Sequence, residues 1–386
     1  LIRSYIAKAN CWQTTNVLDS NIVPSTISAI IKYRNTEMAR VSVMDAMDIQ
    51  GGKAIMAGPK NHIIEGYLGS PVGITVEGAN ILTRNLIVFG QGVMRCHPYL
   101  FNEVLALNHS DQKIGMKLFD KILFKHVSFS INNSFKLLAL KIGFNATTGY
   151  GSDATNKYHK KIKNLAIKFS FLSDLSLLIF GGALKRKGII SGEFSDALST
   201  LYEMTATLNY YDASKSKSEE IQLVMEQAIE QSIINFNVAI NRIVENLPVN
   251  FVVKAAFRFL VSKHISHNSI QDKNLLKLSK ITSDIDWLKS NVCPDLYFSD
   301  NPQDPVNILL EAHTATIKQK PIMKKLSSMG IEYDGTQTFK DFVGVLVNDK
   351  IIQELEGGIL IDCRNKIFAA ISVDEFSKEE ILGKKN

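Results

Sequence analysis

Glu77 is the carboxylate whose neighbours in the sequence are most suited to acid–base chemistry. It lies in the segment GITVEGAN, among small and apolar residues. Such neighbours would remove water from a carboxylate and let it act as a general base near neutral pH. The alternative is a structural role, in which Glu77 precedes a predicted helix over residues 81–94 and the dipole of that helix stabilises its charge. The spacing alone favours the structural role.

Gly51 and Gly52 form a pair directly after a predicted helix over residues 24–49. Glycine commonly ends a helix because it adopts the left-handed conformation without strain. The same lack of a side chain would let a ligand approach the backbone closely. Both interpretations remain open, and the sequence holds no phosphate-loop or dinucleotide-binding fingerprint.

His97 is the side chain that could suggest a metal site, since it follows Cys96 directly. No second group of ligands lies nearby in the sequence, and none of the four cysteines forms a CxxC pair. A histidine at a helix end is therefore favoured, and no metal site is predicted. The basic run Lys185 to Lys187 could touch lipid or CoA phosphates, but a solvated helix end is favoured.

The elements that must position these residues are mostly helices. Apolar residues recur at helical spacing over long stretches, and alternation typical of strands is almost absent outside residues 73–76. Residues 53–80 and 290–306, rich in Gly, Pro or Asp, are predicted as loops. The pattern predicts an all-α protein of long antiparallel helices at 24–49, 61–67, 81–94, 112–141, 155–186, 188–211, 216–247, 305–328, 337–347 and 350–370.

Charge is distributed unevenly along the 386 residues. The net charge of +6 lies entirely in residues 1–150, while residues 151–386 are neutral. Together with a Gly/Thr/Ser-rich segment at 145–155, this predicts two domains, 1–150 and 151–386. The neutral half offers no case for nucleic-acid binding. No segment supplies the roughly 20 apolar residues of a membrane span, and scattered cysteines favour a reducing, cytoplasmic compartment.

The run from Asp48 to Leu100 resembles the C-terminal helical domain of the acyl-CoA dehydrogenases. That family has a Gly-Gly pair closing one long helix and, about 25 residues later, a Glu-Gly turn with an Arg seven residues after the Glu. Here these are Gly51-Gly52, Glu77-Gly78 and Arg84. The segments ITVEGANILTR and FGQGVMRCHPY resemble the large bacterial fatty-acyl-CoA dehydrogenases, which carry an extra C-terminal helical domain. The resemblance continues, less densely, to about residue 376.

This resemblance implies an FAD-dependent enzyme that introduces a trans-2,3 double bond into fatty acyl-CoA in β-oxidation. Glu77 matches the base that removes the α-proton. Gly51, Gly52, Gly78, Asn80 and Arg84 match positions at or near the flavin. The resemblance also implies an electron-transfer flavoprotein or an equivalent acceptor, a homo-oligomer, and a location in the cytoplasm with peripheral contact to the inner membrane.

Two departures qualify the match. Asp48 stands where many members have a cofactor-binding Gln, and Ala79 stands where Thr is usual, so that Asn80 would have to substitute. The first residue is Leu, and neither the N-terminal helical domain nor the small β-domain of the family is recognisable. We therefore expect a fragment that binds FAD poorly and lacks dehydrogenase activity.

Two further interpretations stay open. One is a helical module that binds a membrane surface or partner subunits without catalysis, and the other is a catalytically dead remnant. The DNA upstream of Leu1 would discriminate among all three: an in-frame β-domain favours the enzyme, and a stop codon favours the remnant.

Overall fold

The computed structural model describes residues 1–92, 97–144, 148–261 and 272–381. Within these ranges the chain is helical and has no β-strand, which confirms the predicted all-α class. The helices are α1 (Ile2–Asp19), α2 (Ser25–Gln50), α3 (Ile64–Thr75), α4 (Asn80–Leu82), α5 (Leu100–Leu107), α6 (Gln112–Lys141), α7 (Asp153–Phe180), α8 (Gly188–Ala213), α9 (Glu219–Asn246), α10 (Phe251–Val261), α11 (Asp272–Thr282), α12 (Ile285–Asn291), α13 (Pro305–Ser328), α14 (Phe339–Asn348), α15 (Glu354–Ile371) and α16 (Lys378–Ile381).

Local sequence signals explain where several of these helices begin and end. The Asp111 carboxylate accepts hydrogen bonds from the first backbone N–H groups of α6, and Asp304 does the same for α13, which has Pro305 at its first position. Gly51 has a φ of +60° and follows the last residue of α2. The prediction that a glycine ends this helix is therefore confirmed at Gly51.

Helix α3 differs from the prediction, which gave a loop over 53–80 with a short helix near 61–67. The helix runs on through Pro71. Proline has no N–H, so the carbonyl of Tyr67 loses its usual partner, and the Ser70 hydroxyl donates to that carbonyl at 2.9 Å instead. The loop prediction was wrong here because this local replacement bond is not visible in a Gly/Pro count.

Other segments also depart from the expected pattern. The helix predicted over 81–94 is a single turn, α4, followed by a π-helical segment at Thr83–Gln91, and residues 93–94 lie outside the described ranges. Helices α1, α5 and α10 to α12, most of which are short, were not predicted. Two 3₁₀ turns, Gly51–Ile55 and Gly181–Arg186, follow α2 and α7.

The chain forms two compact units that alternate along the sequence. The first comprises Leu1–Ala39 and Pro71–Pro294, and the second comprises Arg40–Ser70 and Asp295–Asn386. The boundary predicted at 145–155 falls inside the first unit, so compactness does not follow the shift in charge. The division into family domains at residue 150 stays a prediction.

The core of the first unit lies between α8 and α9. Phe194, Met204 and Leu208 from α8 are fully buried with Met225 and Ile240 from α9. Helices α1 and α7 pack against this pair. The second unit has a smaller core between α13, α14 and α15, whose buried members are Ile322, Leu326, Val343, Leu346, Ile352 and Leu360.

One helical segment in the described ranges, Asp153–Leu184, is long and apolar enough to cross a membrane by length and composition. The core helix of a soluble protein passes the same test. Tyr158, Leu165 and Leu172 of this segment are buried in the first unit, and Asp174 is hydrogen-bonded to neighbouring helices. The predicted absence of a spanning segment stays a prediction.

Candidate active site and the polar clusters around it

Glu77 lies in the turn between α3 and α4, and its side chain is exposed. Its φ is +54°, in the left-handed region, and Gly78 follows with a φ of +91°. A residue with a Cβ in this region costs about 1–2 kcal/mol. The turn thus carries strain at the residue that the sequence singles out as the base.

The expected dehydration of Glu77 is not found in the described part of the chain. Val76, Glu77 and Gly78 are all exposed, so these neighbours leave the carboxylate in water. The prediction was wrong because apolar neighbours in sequence exclude water only if the chain folds over them. The position of Glu77 agrees better with the structural alternative, a residue that precedes a helix, since Glu77 lies two residues before Ala79, the N-cap of α4.

Lys32 of α2 donates two hydrogen bonds to this turn. Its ammonium donates to the Gly78 carbonyl oxygen at 2.7 Å and to Asn80 Oδ1 at 2.7 Å. The Thr83 hydroxyl also donates to the Gly78 carbonyl, at 3.2 Å. An ammonium group makes a stronger hydrogen bond to a carbonyl than a hydroxyl does.

Asn80 is buried beneath the turn, with 5% of its surface exposed. Its amide nitrogen donates to Thr36 Oγ1 at 2.9 Å and to Glu37 Oε1 at 3.0 Å. Its oxygen accepts from Lys32, so the side chain is engaged at both ends within the chain. The geometry gives no support to the cofactor contact suggested for Asn80, which stays a prediction.

Arg84 is also engaged within the first unit. Its guanidinium makes two hydrogen bonds to Asp196 of α8, at 2.6 and 3.0 Å, and lies 3.6 Å from Glu193. The hydrogen bond to Asp196 raises the pKa of Arg84 above its usual value. A Cβ on Gly192 would overlap Nη1 of Arg84, so glycine makes room for the guanidinium there. Arg84 therefore joins the π-helical segment to α8, and its assignment to the cofactor site stays a prediction.

Gly51 and Gly52 lie in the second unit and are both exposed. A Cβ built on either would meet nothing within 4 Å, so the backbone is open to a ligand. Gln50 precedes the pair and has a buried side-chain oxygen without a hydrogen-bond partner. Asp48 is exposed.

The fit of these residues to a flavin is therefore partial. In the second unit, the backbone of Gly51 and Gly52 has room for a ligand, and Oε1 of Gln50 lacks a hydrogen-bond partner. In the first unit, the side chains of Asn80 and Arg84 are satisfied within the chain. The assignment of these residues to a flavin site stays a prediction.

A second polar cluster, formed by His97, Glu103, His126 and Asp174, joins α5, α6 and α7. Asp174 Oδ1 lies 2.8 Å from His97 Nε2 and 3.5 Å from His126 Nε2, and Glu103 Oε1 lies 2.8 Å from His126 Nδ1. Ser130 donates to Asp174 Oδ2 at 2.6 Å. Burial alone would raise the pKa of Asp174, but the hydrogen bonds from His97 and Ser130 and the two imidazoles bring it below its usual value.

Three of these groups, His97, His126 and Asp174, have donor atoms within 4.8 Å of one another, a distance that a metal ion could bridge. The hydrogen bonds argue against such an ion. His97 Nδ1 accepts from the backbone N–H groups of Tyr99 and Leu100, both at 3.2 Å. A neutral His97 therefore carries its proton on Nε2, the atom that would have to bind a metal.

This cluster is not predictable from the sequence because its residues are distant along the chain. His97 and Asp174 are 77 residues apart. An apolar groove of about 410 Å³ lies beside the cluster and is lined mainly by Leu123, Val127, Ile131, Phe171, Leu175, Leu177 and Leu178.

Residues 94–376 match the family model described as acyl-CoA dehydrogenase, C-terminal, bacterial type. This match covers well over half of the chain. The chain belongs to this acyl-CoA dehydrogenase family. The matched range includes the second polar cluster and most of both cores but begins after the Glu77 turn, so the assignment of Glu77 rests on other grounds.

A solved structure with the same fold is an acyl-CoA dehydrogenase from Bacillus anthracis, complexed with FAD. The TM-score is 0.53 at 15% sequence identity. The match covers 73% of this chain and 47% of that chain, so this chain spans about half of that relative's length. At this identity the comparison supports the fold and not the individual contacts.

Proposed function

We propose that this acyl-CoA dehydrogenase chain provides the catalytic base of an FAD-dependent enzyme that oxidises fatty acyl-CoA to trans-2-enoyl-CoA. The observation that supports this proposal is the Glu77 turn. The Glu77 carboxylate is exposed on a strained left-handed turn, and the half-buried Lys32 and the buried Asn80 hold the turn in place. Strained residues of this kind are typical of functional sites.

The chemistry requires a base because the α-C–H of a thioester is a weak acid. Glu77 would take the α-proton, and by resemblance to the family its backbone N–H would donate to the thioester carbonyl and stabilise the charge that develops there. A bound FAD would supply the acceptor for the hydride of the β-carbon. By the resemblance, the backbone of Gly51 and Gly52 would contact a flavin, and Gly78 would lie near one. An electron-transfer flavoprotein or an equivalent acceptor would then take the electrons.

The test is Glu77→Gln in the full-length natural protein. The amide cannot take the proton, so we expect turnover with a fatty acyl-CoA to fall by about 100- to 10,000-fold. Flavin absorbance should be unchanged, because the substitution leaves the backbone in place. Glu65→Gln, at an exposed carboxylate on α3, is the matched control and should keep its activity. Turnover retained by the Glu77 variant would refute the assignment.

A second candidate function is contact with an anionic membrane surface through α6. This helix exposes an apolar stripe that includes Phe124, Val127, Ile131, Phe135 and Leu138. The same helix carries six lysines and one aspartate. An apolar stripe bordered by lysines is typical of helices that lie in the lipid interface. This contact would place the protein in the cytoplasm at the inner membrane.

Vesicle co-sedimentation tests the membrane proposal. We expect the protein to sediment with phosphatidylglycerol-containing vesicles and much less with pure phosphatidylcholine. Replacing Phe124 and Phe135 by Ser should abolish the binding. Phe251→Ser, at an equally exposed phenylalanine on α10, should not. Equal binding by the α6 variant would contradict this proposal, as would a lack of binding by the unmodified protein.

A further inference from the structure

We propose that Lys32 is the positioning residue of the Glu77 turn. It holds the Gly78 carbonyl and thereby sets the direction in which the Glu77 side chain leaves the backbone. That Lys32 stabilises the turn is inferred from the geometry alone. That it affects catalysis rests on the function proposed above.

The contacts of Lys32 connect the turn to the side of α2. Lys32 and Thr36 are four residues apart and therefore lie on one face of that helix. Lys32 donates to the Gly78 carbonyl and to Asn80, both at 2.7 Å, and Thr36 accepts from the same Asn80 side chain at 2.9 Å. The part of the turn that follows Glu77 is thus attached to α2.

The turn needs this support because two consecutive residues are left-handed. Gly78 tolerates its φ of +91°, but Glu77 at +54° has a Cβ and would gain from leaving this region. Rotation about the N–Cα bond of Glu77, which would relieve its φ, would redirect the Glu77 side chain. Because the chain that follows would turn with it, the same rotation would move the Gly78 carbonyl off Lys32. Without Lys32, the Thr83 hydroxyl at 3.2 Å is the remaining described donor to that carbonyl.

Both oxygens that Lys32 binds in the turn are neutral, one a backbone carbonyl and one an amide oxygen. Replacing Lys32 therefore removes support from the backbone without removing a hydrogen-bonded partner from the Glu77 carboxylate. This separates positioning from a direct hydrogen bond to the base.

Hydrogen exchange tests the hold on the turn. In Lys32→Met we expect amides in the segment 76–83 to exchange about 5- to 10-fold faster, the effect of losing one hydrogen bond that closes the turn. The core peptides of α8 and α9 should be unchanged. Lys160→Met removes an exposed lysine of α7 and should leave the turn as in the unmodified protein. Unchanged exchange in the turn of Lys32→Met would overturn the proposal.

Steady-state kinetics of the full-length natural protein test whether Lys32 affects turnover through the position of Glu77. A base displaced by about an ångström should lower kcat about 100-fold. The KM should stay within about twofold, because the Glu77 carboxylate acts in proton removal and not in binding of the acyl-CoA. Lys32→Arg keeps the charge and the donors and should recover much of the loss. A loosened turn with unchanged kcat would overturn the positioning role, as would a loss that falls mainly on KM.

Two controls keep the outcomes separate. If Glu77→Gln keeps its turnover, the proposed function fails, while the exchange of the turn still decides whether Lys32 holds it. If Lys32→Met does not fold, Lys32→Gln, which is neutral and polar, carries the same exchange and kinetic measurements with the same expected directions.

Discussion

The Glu77 turn and the His97–Asp174 cluster each contain a carboxylate among polar side chains, but only the cluster binds its carboxylate by hydrogen bonds. In the cluster, Asp174 accepts from His97 and Ser130, and the lone pair of His97 Nδ1 is taken by two backbone N–H groups. In the turn, the polar groups around Glu77 bind one another, and its own carboxylate is left exposed.

The difference shows that residue type alone does not identify a reactive site. Two imidazoles and two carboxylates look more reactive than one glutamate, yet their lone pairs and protons are used to join three helices. A group that is to exchange protons with a substrate must have an uncommitted lone pair and a route to it. By that criterion the strained, exposed turn is the better candidate.

The largest effect expected from breaking the cluster is on stability. Asp174→Ala removes the partner of His97 Nε2 and of the Ser130 hydroxyl and should lower the free energy of unfolding by about 3 kcal/mol. Chemical denaturation monitored by circular dichroism measures it. Asp120→Ala, an exposed aspartate on α6, is the control and should change it by less than about 0.5 kcal/mol. Equal effects would mean that the cluster does not join the helices.

Arg84→Met should have the next largest effect, because it leaves Asp196 without its guanidinium and leaves Glu193 paired with Arg242 alone. We expect a loss of about 2 kcal/mol in unfolding free energy, the usual magnitude for hydrogen bonds to charged groups. Arg258→Met breaks an exposed pair with Glu245 and should cost at most about 1 kcal/mol. If Arg84→Met kept its stability but weakened flavin binding, Arg84 would belong to the cofactor site after all.

Acid should weaken the cluster in a defined direction. The pKa of Asp174 is lower in the folded protein than its ordinary value, so its stabilisation is complete above an unfolded-state pKa of about 3.9. The stabilisation is lost as the pH falls through the lower folded value. The difference in stability between the unmodified protein and Asp174→Asn should therefore shrink below about pH 4. A difference that grew in acid would contradict this sign.

Glu77→Gly should have the smallest effect and the opposite sign. Relief of the left-handed strain, less the entropy that glycine adds to the unfolded chain, should raise stability by about 0.5–1 kcal/mol. Lys350 has the same φ of +54° and provides the control. Both glycine variants should be more stable in thermal melts, but only Glu77→Gly should lose turnover. Destabilisation by Glu77→Gly would show that contacts of the side chain outweigh the strain.

Much of the fold was predictable because its signals are local. The predicted ranges 112–141 and 305–328 agree with α6 and α13, where a capping aspartate precedes each helix. The signal that ends α2, the glycine at position 51, was equally local. Helix α3 was mispredicted because Ser70 replaces the bond that Pro71 cannot make.

The candidate site was likewise predictable only where its signals are local. The position of Glu77 in a turn followed from short-range spacing. Its exposure, the engagement of Asn80 and the pairing of Arg84 did not, because each depends on a distant part of the chain. Asp196, for example, is 112 residues from Arg84. Periodicity carries no information on such pairs.

The absence of a side chain at Gly192 has a consequence for how relatives of this chain can vary. The guanidinium of Arg84 occupies the space that a Cβ at position 192 would need, while Asp196 holds it there. A change at position 192 alone would displace the arginine, and a shorter residue at position 84 would leave a void over the glycine. The two positions should therefore be inherited as a pair, with glycine at 192 wherever arginine stands at 84.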